Sequence, residues 1–304
     1  MCIQLYRGSL KPESSGYGNP EGSRPVTNLY GIGPVETMKQ GRQKGNQFPL
    51  SQKTLSIILG SLLGDGSLKI NKHYKNARFS FRHGWKQRDY FFWKVEQLKE
   101  ISGKKYWWIQ KADGKSREKK LRYQSKALPA LTELYRLTHK GNTKKIKRKW
   151  LNLMDELSLA VWWMDDGSII ANGRKGVFCS ENFTKKEQKI LSRYLRKVWG
   201  IETKVGRVQK EGEKYRLWFR STNELKRFLR LILKYVQVES MLPKVVLLYK
   251  NPLLQQRWIS EVAKHTGFSE EKIRKVVEGK KKRWKQYSAS ENDIVRSSPK
   301  GELK

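Results

Sequence analysis

From Phe48 onward, apolar helices alternate with short strands of period two. Ser51 is placed to cap a helix reaching about Leu63. Its sequence, Leu55-Ser-Ile-Ile-Leu-Gly-Ser-Leu-Leu-Gly-Asp65-Gly66, is apolar, rich in small residues and closed by an acid. The pattern then predicts strands over 67–70 and 77–83. A helix over 87–101 follows, with Tyr90, Phe91, Trp93, Val95 and Leu98 as its apolar positions. Strands over 105–111 and 119–125 and a helix over 128–137 close the unit. About a hundred residues later the order returns, starting from Leu157-Ser-Leu-Ala-Val-Trp-Trp-Met-Asp-Asp166-Gly167. It continues with strands over 168–170 and 176–180, a helix over 184–199, strands over 202–209 and 214–220, and a helix over 222–235. Two copies of one unit predict an α+β fold. Its architecture is a tandem duplication of αββαββα units about a pseudo-two-fold axis, with a small helical C-terminal extension. The expected domains are a first unit over 49–150 and a second over 151–252. A chain that carries both copies is expected to act as a monomer.

The polar positions within the strands identify the partner. Phe79 and Phe81 alternate with Arg78, Ser80 and Arg82, and Tyr215, Leu217 and Phe219 alternate with Arg216, Trp218 and Arg220. One sheet face is therefore core and the other basic, and acids are almost absent from that second face. Arg122 and Gln124, in the strand that corresponds to 217–221, and Arg207 join this set. An ordinary solvated face mixes both signs. This one suits double-stranded DNA, where Arg and Gln read base edges in the major groove and cations hold phosphates. Composition agrees, with 65 Lys and Arg against 28 Asp and Glu and a formal charge of +37. No apolar run approaches the ~20 residues of a membrane span, so no membrane partner is expected. The first residues lack an apolar signal core. Cys2 and Cys179 are too few for a disulfide framework or a zinc site, and the four histidines (His73, His83, His139, His265) lack metal-ligand spacing. An intracellular setting follows.

Against this cationic background the two repeated acids stand out. Gly60 and Gly64, with Ser61 between them, let one helix backbone approach another, and the second helix offers Ala160. Trp162 and Trp163 then turn into the core of their own half. Packed side by side, the helices deliver Asp65 and Asp166 to the same end. Two carboxylates there repel unless a cation lies between them, and hard divalent ions such as Mg²⁺ or Mn²⁺ suit oxygen donors. Gly64 and Asp165, which precede the two acids, are kept with the metal site, Asp165 as an outer or helix-end residue. A lone Asp-Gly is ordinarily a turn; its repetition in matching context is what points to a site.

Leu159-Ala-Val-Trp-Trp-Met-Asp-Asp-Gly167 resembles the signature nonapeptide of LAGLIDADG homing endonucleases, and Ile58-Leu-Gly-Ser-Leu-Leu-Gly-Asp-Gly66 resembles its other copy. The resemblance extends over roughly residues 50 to 250. It implies that the two units form a DNA-binding saddle, and that the protein is an intron-encoded, single-chain endonuclease that hydrolyses double-stranded DNA within a long site using a divalent metal. It places the metal ligands at Asp65 and Asp166. The first copy departs from the family pattern, with Gly64-Asp65 where Asp-Ala-Asp is usual. The family also carries a basic residue after the last helix of each half. Met241-Leu-Pro-Lys244 supplies Lys244, and Thr143-Lys-Lys-Ile146 leaves Lys144 and Lys145 open.

The remaining segments are less patterned. Residues 1–48, rich in Gly, Pro and Ser, read as a flexible arm. Residues 253–287 read either as a helix-turn-helix, with Gly267 at the turn and Lys272, Arg274 and Lys275 facing DNA, or as a helical hairpin packed on the core. Residues 288–304 read as a disordered tail. Two other activities fit the scaffold: a maturase that binds its own intron RNA, and a DNA-binding regulator without catalysis. Retention of both acids favours cutting. The setting expected for such a protein is a chloroplast, a mitochondrion or a bacterial cytoplasm.

Overall fold

A computed structural model describes residues 48–111, 118–170, 173–208 and 213–297, the last stretch with side chains to Trp284. The N-terminal arm lies outside the described residues. The first unit runs α1 (Gln52–Leu63), β1 (Ser67–Lys69), β2 (Arg78–Gly84), α2 (Arg88–Gln97), β3 (Trp107–Gln110), β4 (Lys120–Gln124) and α3 (Pro129–Thr138). A two-residue hairpin, β5 (His139–Lys140) and β6 (Thr143–Lys144), and a short helix α4 (Arg148–Leu151) lead out of it. The second unit runs α5 (Glu156–Asp166), β7 (Gly167–Ile170), β8 (Lys175–Phe178), α6 (Lys185–Trp199), β9 (Thr203–Arg207), β10 (Tyr215–Phe219) and α7 (Thr222–Ile232). Both sheets are antiparallel with matching strand orders, β1-β2-β4-β3 and β7-β8-β10-β9, so the duplication read from the sequence is a duplication of topology. Every predicted strand and helix of the two units is present, with ends shifted by a few residues. The helix predicted over 87–101 is broken into 3-10 turns at Trp85–Gln87 and Lys99–Ile101 around α2.

Local chemistry sets the ends. Ser51 Oγ accepts the Thr54 amide at the start of α1, and Asp155 closes a capping box with Ser158 at the start of α5. Thr184 and Glu187 do the same for α6, which ends at Gly200 in the left-handed region (φ 64°).

α1 and α5 pack against each other as the seam between the units. Their contact is close because Gly60 lies on the Ser158 carbonyl, where an added Cβ would stand 2.4 Å away. Gly64 lies equally close to the Asp165 side chain, again 2.4 Å for an added Cβ. Both helices are buried almost throughout, and one apolar cluster runs through both units. Trp162 stacks on Phe178 with ring centroids 3.8 Å apart, and Trp163 meets Phe178, Phe219 and Phe228 edge-on. The indoles therefore fill the core of the second unit, as the small-residue seam requires.

The C-terminal segment forms two helices, α8 (Pro252–Thr266), ended by Gly267 at φ 78°, and α9 (Glu270–Ser297). Ile259, Val262, Ile273 and Val277 are buried in the common core. α9 continues past Tyr287, where the sequence suggests disorder, because neither Gly nor Pro interrupts 280–297. Among the described residues no helix is long and apolar enough to cross a membrane.

Candidate active site and nucleic-acid face

α1 and α5 end side by side, and each leads directly into the first strand of its sheet. Asp65 and Asp166 emerge there. Asp65 keeps 41 % of its side chain open to solvent. Desolvation in the seam and the neighbouring Asp165 push its carboxyl up to about 6. Asp166 is pushed up to about 8 by burial, then by Asp65 and Asp165. Both rises come first from burial and then from the neighbouring carboxylates, so a charged pair here is costly without a cation. Two such hard oxygen donors fit a divalent cation of the Mg²⁺ or Mn²⁺ type, which would relieve the repulsion.

Two lysines attend the pair. Lys244, in the 3-10 turn Glu239–Lys244, donates from Nζ to the carbonyls of Met164 (2.6 Å) and Asp165 (2.9 Å) at the end of α5. Lys144, in β6, donates to the Leu62 carbonyl at the end of α1. Each lysine thus sits on the C-terminal carbonyls of its own motif helix, where the helix dipole favours a cation. Burial lowers Lys144 to about 8, offset in part by Asp166, and lowers Lys244 against the pull of Asp165, Asp166 and Asp65. This geometry places Lys144 rather than Lys145 at the seam. The Lys145 carbonyl accepts the Trp150 indole N–H, and Glu187 feels its charge instead.

Asp165 is more deeply engaged than its sequence position suggests. Its carboxylate is fully buried and lies 3.1 Å from the equally buried Lys94 ammonium. Tyr90 donates its hydroxyl to it at 2.8 Å, and the Asp65 amide donates at 3.3 Å. A side chain of the second unit therefore closes a polar cluster inside the first, in the space Gly64 leaves open. His83 completes the cluster, with Nδ1 3.5 Å from Asp65 and Nε2 3.9 Å from Asp165. Burial and Lys94 push His83 down to about 3, so it is neutral at physiological pH. Asp65, His83 and Asp165 together have the spacing of a metal triad. Asp165, however, is already neutralised by Lys94, which leaves Asp65 and Asp166 as the pair in want of a cation. Lys94, Tyr90 and His83 are absent from the sequence-based site. One signal was available: Lys94 lies in the apolar stripe Tyr90, Phe91, Val95, Leu98, where a lysine needs a buried anion.

The sheet faces divide as the alternation predicts. Strand register sets Arg82 opposite Arg122, Lys69 opposite Arg78 and Ser80 opposite Gln124. Like charges directly opposite repel, and no acid occupies this face at these positions, so the face is complementary to a polyanion. Arg78 stacks over Tyr74 at 4.1 Å and donates to Gln124 at 3.1 Å, while Arg122 lies 5.9 Å from the exposed Trp108 ring. In the second sheet Trp218 lies over Gly206, and Lys204 pairs opposite it. Arg220 is exposed just beyond β10 on the same alternation, and Arg216 is held by Glu181. Arg207 differs from expectation: it pairs with Tyr215 and so belongs to the alternate face at the strand end.

The three cations assigned to a recognition helix are open to solvent on α9 and each faces an acid. Lys272 pairs with Glu239 (2.9 Å), Arg274 with Glu270 (2.7 Å) and Lys275 with Glu271 (2.8 Å). With Ile273 and Val277 buried, α8 and α9 form a hairpin docked on the second unit.

The described residues thus form a duplicated α+β scaffold with paired acids at its helix seam and a basic face on each sheet. The model of the LAGLIDADG DNA endonuclease family matches residues 55–228, more than half of the chain, and the chain belongs to that family. Among curated proteins it is 30 % identical over 202 residues to Protein RecA of Mycolicibacterium flavescens, covering 62 % of this chain and 45 % of that protein. It is 27 % identical over 186 residues to the cytochrome b mRNA maturase bI2 of Saccharomyces cerevisiae, covering 55 % of this chain and 41 % of the maturase. The chain thus spans less than half the length of these relatives. Its fold is similar to that of the homing endonuclease I-WcaI bound to its DNA recognition sequence, with a TM-score of 0.58 and 22 % identity. That likeness covers 73 % of this chain and 97 % of I-WcaI.

Proposed function

We propose that this chain is a site-specific, divalent-metal-dependent endonuclease that cuts double-stranded DNA and promotes homing of the intron that encodes it. The observation that carries this reading is the pair Asp65 and Asp166. They lie at the ends of two packed helices, each with a lysine on the adjacent carbonyls. The basic faces of the two sheets receive the duplex and set its register through phosphate contacts, while Gln124, Arg122 and Arg78 reach base edges. The protein acts as a monomer because both motifs are on one chain. It works inside the cell, in an organelle or a bacterial cytoplasm where self-splicing introns reside.

Asp65 and Asp166 would hold the divalent cation through their deprotonated carboxylates, which carry the charge that their raised pKa values of about 6 and about 8 show to be costly without it. Bound there, Mg²⁺ or Mn²⁺ would supply charge stabilisation at phosphorus and a lowered pKa for attacking water. Lys144 and Lys244 hold their ammonium groups at the same end of the helices and offset charge that develops on the phosphate. Lys144, lowered to about 8, is also able to exchange a proton near neutral pH. The Asp165 carboxylate, paired with Lys94, accepts the Asp65 amide and so positions the Asp65 backbone.

A second reading, an RNA maturase on the same scaffold, is favoured by the similarity to the yeast maturase. The purified protein, incubated with Mg²⁺ and a duplex of its intronless host-gene allele, separates the two. Specific double-strand breaks that stop in EDTA support the nuclease. Tight binding of the intron RNA with no cutting of any duplex refutes it in favour of the maturase.

A further inference from the structure

Residues 245–249, which follow Lys244, form neither helix nor strand, yet the carbonyls of 243–247 are all taken by side-chain donors. Lys280 Nζ donates to Pro243 O (2.8 Å) and Val246 O (2.7 Å). Trp163 Nε1 donates to Lys244 O (2.9 Å), Trp258 Nε1 to Val245 O (3.1 Å) and Gln255 Nε2 to Leu247 O (3.1 Å). Four of these five bonds come from α8 and α9. Lys280 is only 6 % exposed, its Nζ meets two carbonyls rather than a carboxylate, and burial lowers its pKa to about 7. Burying a cation this way is costly for a side chain that merely fills space, since Met or Leu fills it without the charge. What the cation gains is the carbonyl end of a 3-10 turn, where partial negative charge accumulates.

The first half is built otherwise. The segment that follows Lys144 is braced by Trp150 and Glu187, residues within or between the two units. The C-terminal hairpin therefore supports one lysine and not the other.

We propose that Lys280 is a positioning residue for Lys244, and that the hairpin α8–α9 belongs to one of the two cleavage centres rather than being a separate DNA-reading module. The proposal rests on the nuclease reading above. Lys280 and Trp258 hold the chain on either side of Lys244, so that its ammonium reaches the Met164 and Asp165 carbonyls beside Asp166. Loosening this hold moves Lys244 and leaves Lys144 in place. The consequence is strand bias: one strand is cut slowly and the other at the normal rate.

The test uses the full chain and a duplex recovered by selection with the wild-type protein, labelled on each strand in turn. Single-turnover cutting is measured for wild type, Lys280→Met, Trp258→Phe and Lys244→Ala, with affinity for the duplex measured in Ca²⁺. Lys280→Met is expected to slow one strand about tenfold or more, the scale of effect that follows small displacements of a positioned group. It leaves the other strand and the affinity unchanged, and nicked duplex accumulates. The slowed strand is the one slowed by Lys244→Ala, and K244A/K280M is no slower than Lys244→Ala alone. Trp258→Phe gives the same bias and carries the test if Lys280→Met fails to fold. Equal slowing of both strands, no slowing, or additive loss in the double variant overturns the proposal. Failure of the wild type to cut any duplex overturns the nuclease reading and the proposal with it.

Discussion

Gly60→Ala tests the helix seam. In an isolated helix this change is favourable by about 1 kcal/mol, because Ala has the higher propensity. In this fold an added Cβ would stand 2.4 Å from the Ser158 carbonyl and 2.8 Å from Val161 Cβ. The nearer atom is backbone of the facing helix, so α1 and α5 must separate rather than a side chain turn away. Overpacking of this kind costs about 1–3 kcal/mol, and a backbone clash belongs at the upper end. The net expectation is a loss of about 2 kcal/mol, or roughly 4–8 °C in melting temperature for a chain of this size. Gly279→Ala is the control, since Gly279 lies within α9 with nothing near its Cβ position. There propensity acts alone, and the melting temperature rises by a few degrees. Calorimetry or circular dichroism melts on both variants decide the matter. If Gly60→Ala is as stable as wild type or more so, the helices do not meet as described, and the acids need not lie together.

Other expectations follow from the site. Asp165→Asn leaves Lys94 buried without its anion and should cost about 3–5 kcal/mol in urea unfolding. Adding Lys94→Met should recover most of it, and an unchanged midpoint for Asp165→Asn would refute the buried pair. Asp65 at about 6 and Asp166 at about 8 hold protons in the folded protein that the unfolded chain has released above 3.8. Their contribution to stability is therefore present at low pH and lost between about pH 4 and 8. Asp166→Asn should flatten that fall in metal-free melts; an identical pH profile would contradict the coupling. For the same reason the Mg²⁺ concentration needed for half-maximal cutting should drop as pH rises from about 6 to 8, and a pH-independent requirement would count against carboxylate ligation. Arg122→Ala should weaken duplex binding and relax discrimination at one base pair by about 1–3 kcal/mol, read by competition with single-base variants of the selected duplex. Discrimination equal to wild type at every position would remove Arg122 from the base contacts.

Much of this architecture was legible in the sequence because it is periodic. The strand alternation around Phe79 and Leu217 and the two acid-ended helices each leave a pattern that repeats. Asp65 and Asp166 follow from that repetition, whereas Lys244 is reached only through the family resemblance of Met241-Leu-Pro-Lys244. What escaped is aperiodic or three-dimensional. The hairpin His139–Lys144 is too short to carry a period, so Lys144 and Lys145 were separable only once the Leu62 carbonyl was located beside one of them. Lys94 and His83 join the site through a gap that Gly64 creates, and neither is near Asp165 in sequence. Of the α9 cations, Arg274 and Lys275 face i,i+4 acids that the sequence already shows, Glu270 and Glu271, while the Glu239 partner of Lys272 is visible only in the fold. Arg207 was misplaced for a simpler reason: the registration of β9 against β10 is fixed by pairing, not by composition.

The central claim is that Asp65 and Asp166 together form the metal-dependent cutting centre. It is tested most directly by parallel binding and cleavage measurements on Asp65→Asn and Asp166→Asn with one selected duplex. The account expects both variants to bind that duplex with near wild-type affinity in Ca²⁺ and to leave it uncut in Mg²⁺. Double-strand cleavage at a wild-type rate by either variant would contradict it.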